Sequence, residues 1–323
     1  MKSKIITTIP VFNGEPFILQ TLESVARQTR RPDRVVVLDN GSTDRTEEIV
    51  RNFKAIPCEF IRNPRNLGLF GNMNRCLDFA TETEYLHILH ADDMIAPEFY
   101  KVMTDVLVDA LGTSMAWCVD ERVNENNQRL SFSGKVDGQI QTLSRDEFLR
   151  QKAELGNQAI CATLIKTAGQ PSPARCREDF PIMGDTVFWA ALGAHCQKII
   201  HVRKALGQYR WHGSNQTIFL GPKIESLIVD EWRTIEMNEA LRGKPPSWIR
   251  MLKLKGLFAV RSGIKAKRSR QNGNATYAAE IAATARAHTG LPLWLAGKIL
   301  VGLRDFYLFK IQRRTRHPKN IYG

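Results

Sequence analysis

The first 90 residues alternate short apolar runs, many of them β-branched, with stretches of helical periodicity. Residues 35–38, three valines and a leucine, form an uninterrupted run that is typical of a strand covered on both faces. Between the first two runs, Ile18, Leu22 and Val25 recur at helical spacing and give one apolar stripe. This alternation predicts an α/β fold with a mostly parallel central sheet flanked by helices.

Each strand predicted in this region ends in a polar turn. The predicted strands are residues 5–9, 34–39, 58–61 and 85–89. Because ligands bind outside the carboxyl ends of strands in such sheets, we expect Asn13, Asp39, Asn66 and the Asp92-Asp93 pair to converge on one crevice. Further predicted elements are a helix at 69–80, a strand at 158–165, a helix at 185–195, a strand at 198–202 and mainly helices after residue 215.

Charge divides the chain unevenly. Residues 201–323 hold 23 Lys and Arg against 7 Asp and Glu, whereas residues 1–200 hold 23 against 26. A basic segment of this kind usually meets phosphate, in nucleic acid or at an anionic membrane surface. Nucleic acid is disfavoured, because the polar crevice belongs to the near-neutral part, and interleaved apolar and basic residues at 248–268 and 291–316 favour a membrane interface. The alternative is that these helices pack on the rest of the chain and leave solvated charges.

The chain has six cysteines, with no CxxC pair and no histidine at zinc-ligand spacing, which indicates reduced cytosolic thiols. Pro10 and Asn13 end the N-terminal apolar stretch too early for a signal peptide. Lys298, Arg304 and Asp305 interrupt the apolar segment 291–311. We therefore expect neither export nor a membrane-spanning helix.

Asp92 and Asp93 directly follow an apolar strand. Two adjacent carboxylates repel each other unless a cation or hydrogen bonds offset the repulsion. Mg²⁺ and Mn²⁺ favour oxygen shells built from one or two carboxylates plus substrate phosphates, so the pair predicts a divalent metal beside a nucleotide. The alternative is a helix N-cap before Pro97, where Asp is common.

Six short motifs occur in order along the chain. They are Ile9-Pro10-Val11-Phe12-Asn13, Leu38-Asp39-Asn40-Gly41-Ser42-Thr43-Asp44, Asn66-Leu67-Gly68 with Asn74, Ala91-Asp92-Asp93, Gly184-Asp185 and Tyr209-Arg210-Trp211-His212. In this order they resemble the family-2 glycosyltransferases of the GT-A fold. The resemblance implies a GT-A catalytic domain over residues 1–215, followed by a basic helical region over residues 216–323.

The resemblance also implies an inverting enzyme that moves a sugar from a UDP- or dTDP-linked donor to an acceptor hydroxyl, with Mn²⁺ or Mg²⁺ as cofactor. It assigns roles to several donor-site residues: Pro10, Phe12 and Asn13 line the nucleotide pocket, Asp39 accepts a hydrogen bond from the base, Asp92 contacts ribose or metal, and Asp93 is the main metal ligand. The alternative for Asp39 is a turn residue that binds its own backbone. Asn66 is assigned to the donor site, and Arg65 either faces the diphosphate or base or is a solvated surface residue.

Asp185 matches the catalytic base of the family, which takes the proton of the attacking hydroxyl. Gly184 stands where the family commonly has an acidic residue, and Glu178-Asp179 competes for the role of base. In the later motif, His212 is expected near the metal, with Arg210 as a phosphate partner. His90 replaces an acidic residue found in many members; it either supports ribose or metal or makes an ordinary hydrogen bond.

The implied acceptor is a glycan or lipid-linked glycan in surface polysaccharide synthesis. The enzyme is then expected to be cytoplasmic and peripheral on the inner face of the membrane. A non-catalytic nucleotide-sugar-binding module is the alternative function. Such a module would lack the base or the metal pair, and this sequence has candidates for both.

Overall fold

A mixed sheet of ten strands forms the centre of the computed structural model, which describes residues 4–156, 158–213, 215 and 228–314, with side chains to residue 302. The strands are β1 (Ile5–Val11), β2 (Arg34–Asp39), β3 (Glu59–Arg62), β4 (Tyr85–Ile88), β5 (Met94–Ile95), β6 (Ser114–Asn124), β7 (Arg129–Phe132), β8 (Ile140–Leu143), β9 (Thr163–Lys166) and β10 (Ile199–Trp211). Their order in the sheet is β3-β2-β1-β4-β9-β6-β10-β5, with β7 beside β6 and β8 beside β10.

Strand direction changes halfway across this sheet. β3, β2, β1 and β4 are parallel to one another, and β6 is parallel to β10. β9 is antiparallel to both β4 and β6, and the pairings of β5 and β8 with β10 and of β7 with β6 are also antiparallel. The expected α/β fold with a central sheet flanked by helices is confirmed, and its parallel pairing covers the first four strands and the β6–β10 pair.

Helices cover the sheet and continue beyond it. They are α1 (Ile18–Ala26), α2 (Thr46–Asn52), α3 (Gly68–Asp78), α4 (Phe99–Leu107), α5 (Arg145–Ala153), α6 (Gly184–Gly193), α7 (Asp230–Ala240), α8 (Trp248–Gln271), α9 (Ala275–Thr289) and α10 (Leu291–Arg314). Ser144 and Ser247 cap α5 and α8 by accepting backbone N–H bonds. Glu98 is the N-cap residue of α4, so the Asp92-Asp93 pair does not cap that helix.

Alternation along the strands divides the apolar side chains between two buried clusters. Val35 and Val37 pack with α1 and α4, whereas Val36 and Leu38 pack with α3, α5 and α6 on the other face. Successive side chains of a strand point to opposite faces, so an unbroken apolar run fits a strand covered on both sides. This confirms the prediction for residues 34–39.

The bounds predicted for single strands and helices agree with the structure to different degrees. The predicted strand 158–165 is wrong in its first half, because Ile160–Ala162 is a short 3₁₀ turn and β9 begins only at Thr163. The strand predicted at 198–202 extends to Trp211, since it pairs with β6 along most of its length. The described residues after 215 are mainly helical, as predicted.

The C-terminal helices attach to the rest of the chain through α7. Trp232 and Ile235 on α7 share a buried cluster with Leu155 beyond α5 and Phe258 on α8. The predicted boundary between residues 215 and 216 adjoins residues 216–227, which lie outside the described part. Among the described helices, none is both long and apolar enough to cross a bilayer.

Candidate functional site

A tight turn after β4 presents the Asp92-Asp93 pair at the carboxyl end of the sheet. The Asp93 N–H donates to the His90 carbonyl at 3.1 Å and closes the turn. Thr21 on α1 holds it from outside, with Oγ1 at 2.9 Å from the Ala91 carbonyl oxygen and 2.8 Å from that of Asp93. The two carboxylates therefore project from a fixed backbone.

Asp93 is a buried carboxylate with one unsatisfied oxygen. Its side chain is 1% exposed, and Oδ1 accepts the Arg210 backbone N–H at 2.9 Å. Oδ2 has no hydrogen-bond partner among the described residues. Burial raises the pKa of Asp93 well above its ordinary value, and the charge of Asp92 raises it further. A buried carboxylate oxygen without a partner is costly, and a bound cation relieves that cost.

Asp92 is held in the ionised state by a histidine. Its Oδ2 lies 2.9 Å from His212 Nε2. Burial acts to raise the pKa of Asp92, but the hydrogen bond with His212 and the nearby His90 bring it below the ordinary value. His212 itself packs against Phe17, with ring centroids 4.6 Å apart. The expected proximity of His212 to the carboxylate pair is therefore present in the structure.

His90 completes a small group of ligand-type atoms. One ring nitrogen of His90 and one carboxylate oxygen each from Asp92 and Asp93 all lie within 4.8 Å of one another. The Nε2 atom of His90 is buried and has no hydrogen-bond partner among the described residues. Burial lowers the pKa of His90, so the imidazole is neutral near pH 7. These residues fit a divalent metal, since both unsatisfied atoms are of ligand type.

Arg210 supports the turn from beneath. It is fully buried, and its Nε donates to the Asp92 carbonyl oxygen at 2.8 Å. Its other donors reach the Glu125 carbonyl and Gln20 Oε1, and the guanidinium lies over the Phe17 ring. The guanidinium expected to bind phosphate thus donates its hydrogen bonds to protein atoms, and Arg210 positions the Asp92-Asp93 pair.

Asp185 lies in the first turn of α6, within electrostatic range of His90. Its Oδ1 accepts the Thr186 backbone N–H at 2.6 Å and lies 3.3 Å from Thr186 Oγ1. Burial raises the pKa of Asp185, against the lowering effects of Thr186 and Lys152. A buried carboxylate with a raised pKa suits a proton acceptor.

Gly184 is required by packing. A Cβ atom at this position would lie 2.5 Å from two ring carbons of Phe70. The acidic residue common at this point in the family therefore has no room in this chain. The ring of Phe70 fills the space beside Asp185 instead.

The competing acidic pair is less suited to take a proton. Asp179 is bound by Arg177 and Arg233, each at 2.7 Å, and these bonds lower its pKa to about 2. Glu178 is exposed on the same loop. Asp185 is therefore the better-placed base of the three.

Sequence reasoning gave no role to two residues of the pocket, Tyr209, which stands in the last of the six motifs, and Asp120. Burial raises the pKa of Tyr209, and the charges of Asp93, Asp92 and Asp185 raise it further, so all three carboxylates are within electrostatic range of the phenol. Asp120, buried on β6, contributes to the raised pKa of Asp93. The sequence contains a signal for Asp120: an apolar run in β6 ends in this aspartate, just as the apolar run of β2 ends in Asp39.

The first motif joins β1 to the turn after β2. Asn13 has a positive φ of 52°, its N–H donates to Ser42 Oγ at 2.8 Å, and its Oδ1 accepts the Thr43 N–H at 2.9 Å. Pro10 is buried within β1, whereas Phe12 is 52% exposed. Among these predicted pocket residues, Phe12 thus offers a free side-chain face and Asn13 fixes the loop.

Asp39 is covered by an arginine. It has no exposed surface, and its Oδ2 accepts Arg62 Nε at 2.7 Å. Both carboxylate oxygens also accept the Ser42 N–H, at 3.1 and 3.2 Å, which is the turn contact considered as the alternative. A base can reach Asp39 only when Arg62 moves, so contact between Asp39 and the base stays a prediction.

The third motif is organised by a network of asparagines. Asn40 Nδ2 donates to Asn66 Oδ1 at 2.9 Å, and Asn63 Nδ2 donates to Asn40 Oδ1 at 3.1 Å and to Asn72 Oδ1 at 2.8 Å. Arg65 is exposed and has no ion-pair partner in the described part of the chain. The side chain of Asn66 therefore helps to hold the loop by accepting a hydrogen bond from Asn40, while the side chain of Arg65 remains available to a ligand.

Comparisons with known proteins agree with these observations. Residues 7–164 match the family described as Glycosyl transferase family 2. An uncharacterized glycosyltransferase of Methanocaldococcus jannaschii is 30% identical over 103 residues, 30% of this chain and 35% of the relative. The PGL/p-HBAD biosynthesis glycosyltransferase of Mycobacterium bovis is 37% identical over 89 residues, 27% of this chain and 34% of the relative. The chain thus spans about a third of the length of these relatives.

The fold extends the likeness beyond the matched segment. The crystal structure of S. aureus TarS residues 1–349 in complex with UDP-GlcNAc superposes with a TM-score of 0.64 at 16% identity, covering 94% of this chain and 92% of that one. Such a likeness establishes the GT-A fold, including the helical C-terminal region. The segment 7–164, just under half of the chain, is thus similar to glycosyl transferase family 2, and the fold of the chain agrees with that similarity.

Proposed function

We propose that this chain is a metal-dependent inverting glycosyltransferase that moves a sugar from a UDP- or dTDP-linked donor to a hydroxyl of a glycan or lipid-linked glycan. The observation that carries the proposal is the buried, unsatisfied Oδ2 of Asp93 beside Asp92 and His90, with the carboxylate of Asp185 within electrostatic range of His90. A divalent metal held there supplies positive charge to the departing diphosphate.

Each group of the pocket has a place in this reaction. Asp93 and Asp92 would hold the metal whose positive charge offsets that of the donor diphosphate. His212 and Arg210 keep the two aspartates in position. Asp185 takes the acceptor proton as the hydroxyl attacks the anomeric carbon from the face opposite the diphosphate. Direct displacement of this kind inverts the anomeric configuration and needs no covalent intermediate.

The donor nucleotide is assigned to the edge formed by β1, β2 and β3. Phe12 offers an exposed ring, and the guanidinium of Arg62 lies beside Asp39 at the same strand ends. The donor and acceptor of a pyrimidine base match this carboxylate and guanidinium. TarS, which shares the fold, binds UDP-GlcNAc, and that also supports a UDP-linked donor.

A panel of nucleotide sugars tests the proposal. We expect a UDP- or dTDP-linked sugar with Mn²⁺ to raise the Tm and to be slowly hydrolysed, whereas a GDP-linked sugar does neither. At a concentration 100 times Kd, the stabilisation should be about 2.7 kcal/mol. Protection without release of the nucleoside diphosphate, even with acceptors added, would favour the non-catalytic module, and no protection by any donor would contradict both functions.

We further propose that α8 and α10 dock on an anionic membrane surface at the cytoplasmic face, where a lipid-linked acceptor in surface polysaccharide synthesis would be available. On α8, Trp248 is 75% and Ile249 61% exposed; on α10, Ile299 is 63% exposed. Large apolar side chains exposed on both helices are typical of surfaces that meet a membrane or a partner.

The two helices α8 and α10 pack against each other. A Cβ atom on Gly297 would lie 2.9 Å from Ala259 Cβ, and one on Gly263 would lie 3.4 Å from Val301, so α8 and α10 run side by side in the same direction. Several cations of α8 are already paired: Arg250 and Lys253 bind Glu154. Exposed Lys298 and the other C-terminal basic residues supply the attraction to anionic lipid.

Substitution of the exposed patch tests the membrane proposal better than truncation, because removing α8 would uncover Trp232. We expect Trp248→Ser with Ile249→Ser to reduce flotation with phosphatidylglycerol vesicles at least fivefold, while exposed Leu111→Ser has no effect. Higher salt should weaken binding by the wild type. Equal flotation of the wild type and the double variant would remove the proposed surface.

A further inference from the structure

The structure assigns to His90 the role of a metal ligand, through Nε2, beside Asp92 and Asp93. We infer that this nitrogen makes the site prefer Mn²⁺ and Co²⁺ over Mg²⁺. The inference rests on the metal-dependent function proposed above and concerns which side chains and which ions are involved.

The first argument is the state of the ligand-type atoms. His90 Nε2 and Asp93 Oδ2 are both buried and both lack a hydrogen-bond partner in the described part of the chain. Asp93 is almost fully buried, and ligand atoms of both residues lie within 4.8 Å of one another and of Asp92. Leaving both atoms unsatisfied would cost free energy twice, and one cation between them relieves both.

The second argument compares His90 with the other histidine of the pocket. His212 Nε2 lies 2.9 Å from Asp92 Oδ2 and 3.3 Å from Asn215 Nδ2. A ring nitrogen engaged with a carboxylate orients that carboxylate and is not itself free for a metal. His212 is therefore a positioning residue, and His90 is the imidazole that faces the cation.

The ion preference follows from the ligand set. Mg²⁺ favours oxygen ligands and retains several waters, whereas imidazole nitrogen suits transition metals. Affinity for a nitrogen-containing site rises from Mn²⁺ to Co²⁺. With Asp in place of His90, the set would become all oxygen, and the advantage of the transition metals over Mg²⁺ should shrink.

Metal binding measured directly tests this role without relying on turnover. Mn²⁺ is titrated into the full chain in the presence of UDP, and free Mn²⁺ is followed by electron paramagnetic resonance. We expect His90→Gln to weaken Mn²⁺ binding by 10-fold or more, a loss typical of a perturbed metal site. His90→Asp should bind Mg²⁺ more tightly than the wild type does.

Pulsed resonance of bound Mn²⁺ distinguishes the two histidines. Coupling to a ligated imidazole nitrogen should be present in the wild type and in His212→Gln, and absent in both His90 variants. Persistence of the coupling and of Mn²⁺ affinity in His90→Gln would overturn this inference while leaving the metal-dependent function intact. Failure of the wild type to bind Mn²⁺ with UDP would overturn both.

Discussion

Asp93→Asn should make the metal-free protein more stable while it abolishes sugar transfer. The substitution keeps the side-chain volume and the Oδ1 acceptor that binds the Arg210 N–H at 2.9 Å. It removes the negative charge that the proposed metal requires. We expect transfer to fall by about 10³-fold or more and Mn²⁺ affinity to fall with it.

The gain in stability follows from the direction of the pKa shift. Burial and the charge of Asp92 raise the pKa of Asp93 in the folded protein, so the folded state holds its proton to higher pH than the unfolded state does. The ionised carboxylate therefore costs stability above the ordinary carboxyl pKa, and that cost is absent below it. Removing it should raise the free energy of unfolding by about 1 kcal/mol at neutral pH.

Thermal unfolding of both proteins between pH 4 and 8, with and without Mn²⁺ and UDP, measures these opposite effects. The difference in Tm between variant and wild type should grow as the pH rises, and Mn²⁺ with UDP should reverse it by stabilising the wild type alone. Asp105→Asn, which alters an exposed carboxylate paired with Lys101, is the matched control. A variant that retains normal transfer would remove Asp93 from the metal site.

The local part of this site was predictable because short segments determine it. The apolar run of β2 and the turn motifs at the ends of β1, β2 and β4 are readable without knowledge of distant partners. Parallel neighbours then bring Asp39 and the Asp92-Asp93 pair to one edge of the sheet. Strand ends of this kind are where chemistry is expected in α/β proteins.

What escaped prediction depends on pairing between distant strands. Arg62 covers Asp39 because the two residues are register partners in β3 and β2. Asp120 and Tyr209 come near Asp93 because β6 and β10 pair in parallel beyond antiparallel β9, a pairing that local periodicity does not reveal. Register is decided by which faces are buried in the complete fold.

Packing also changes the role that a sequence motif suggests for a single residue. Gly184 looks like the loss of an acidic group when the motif is read alone, yet the ring of Phe70 occupies the space of its side chain. Arg210 looks like a phosphate ligand, yet its donors bind the Asp92 carbonyl and Gln20. A motif identifies which residues belong to the site, whereas their hydrogen bonds decide what each residue does.

Asp185→Asn should uncouple turnover from donor binding. The amide can keep the bond that Oδ1 accepts from the Thr186 N–H, at 2.6 Å, but it cannot take the acceptor proton. We expect transfer to fall by about 10²- to 10⁴-fold, because a positioned general base contributes roughly this much. Affinity for the nucleotide sugar should change little, since the donor residues lie on β1, β2 and the turn after β4.

The pH dependence supplies an independent readout of the same carboxylate. Burial raises the pKa of Asp185, and the base acts only when ionised, so kcat/KM of the wild type should rise with pH through a value above that of an ordinary aspartate. The residual activity of Asp185→Asn should not show this rise of kcat/KM with pH. Asp179→Asn serves as the control, because Arg177 and Arg233 already hold the pKa of that carboxyl at about 2. If Asp179→Asn loses turnover and Asp185→Asn does not, the base is on the loop before α6; if donor affinity collapses in Asp185→Asn, this carboxylate belongs to the donor site.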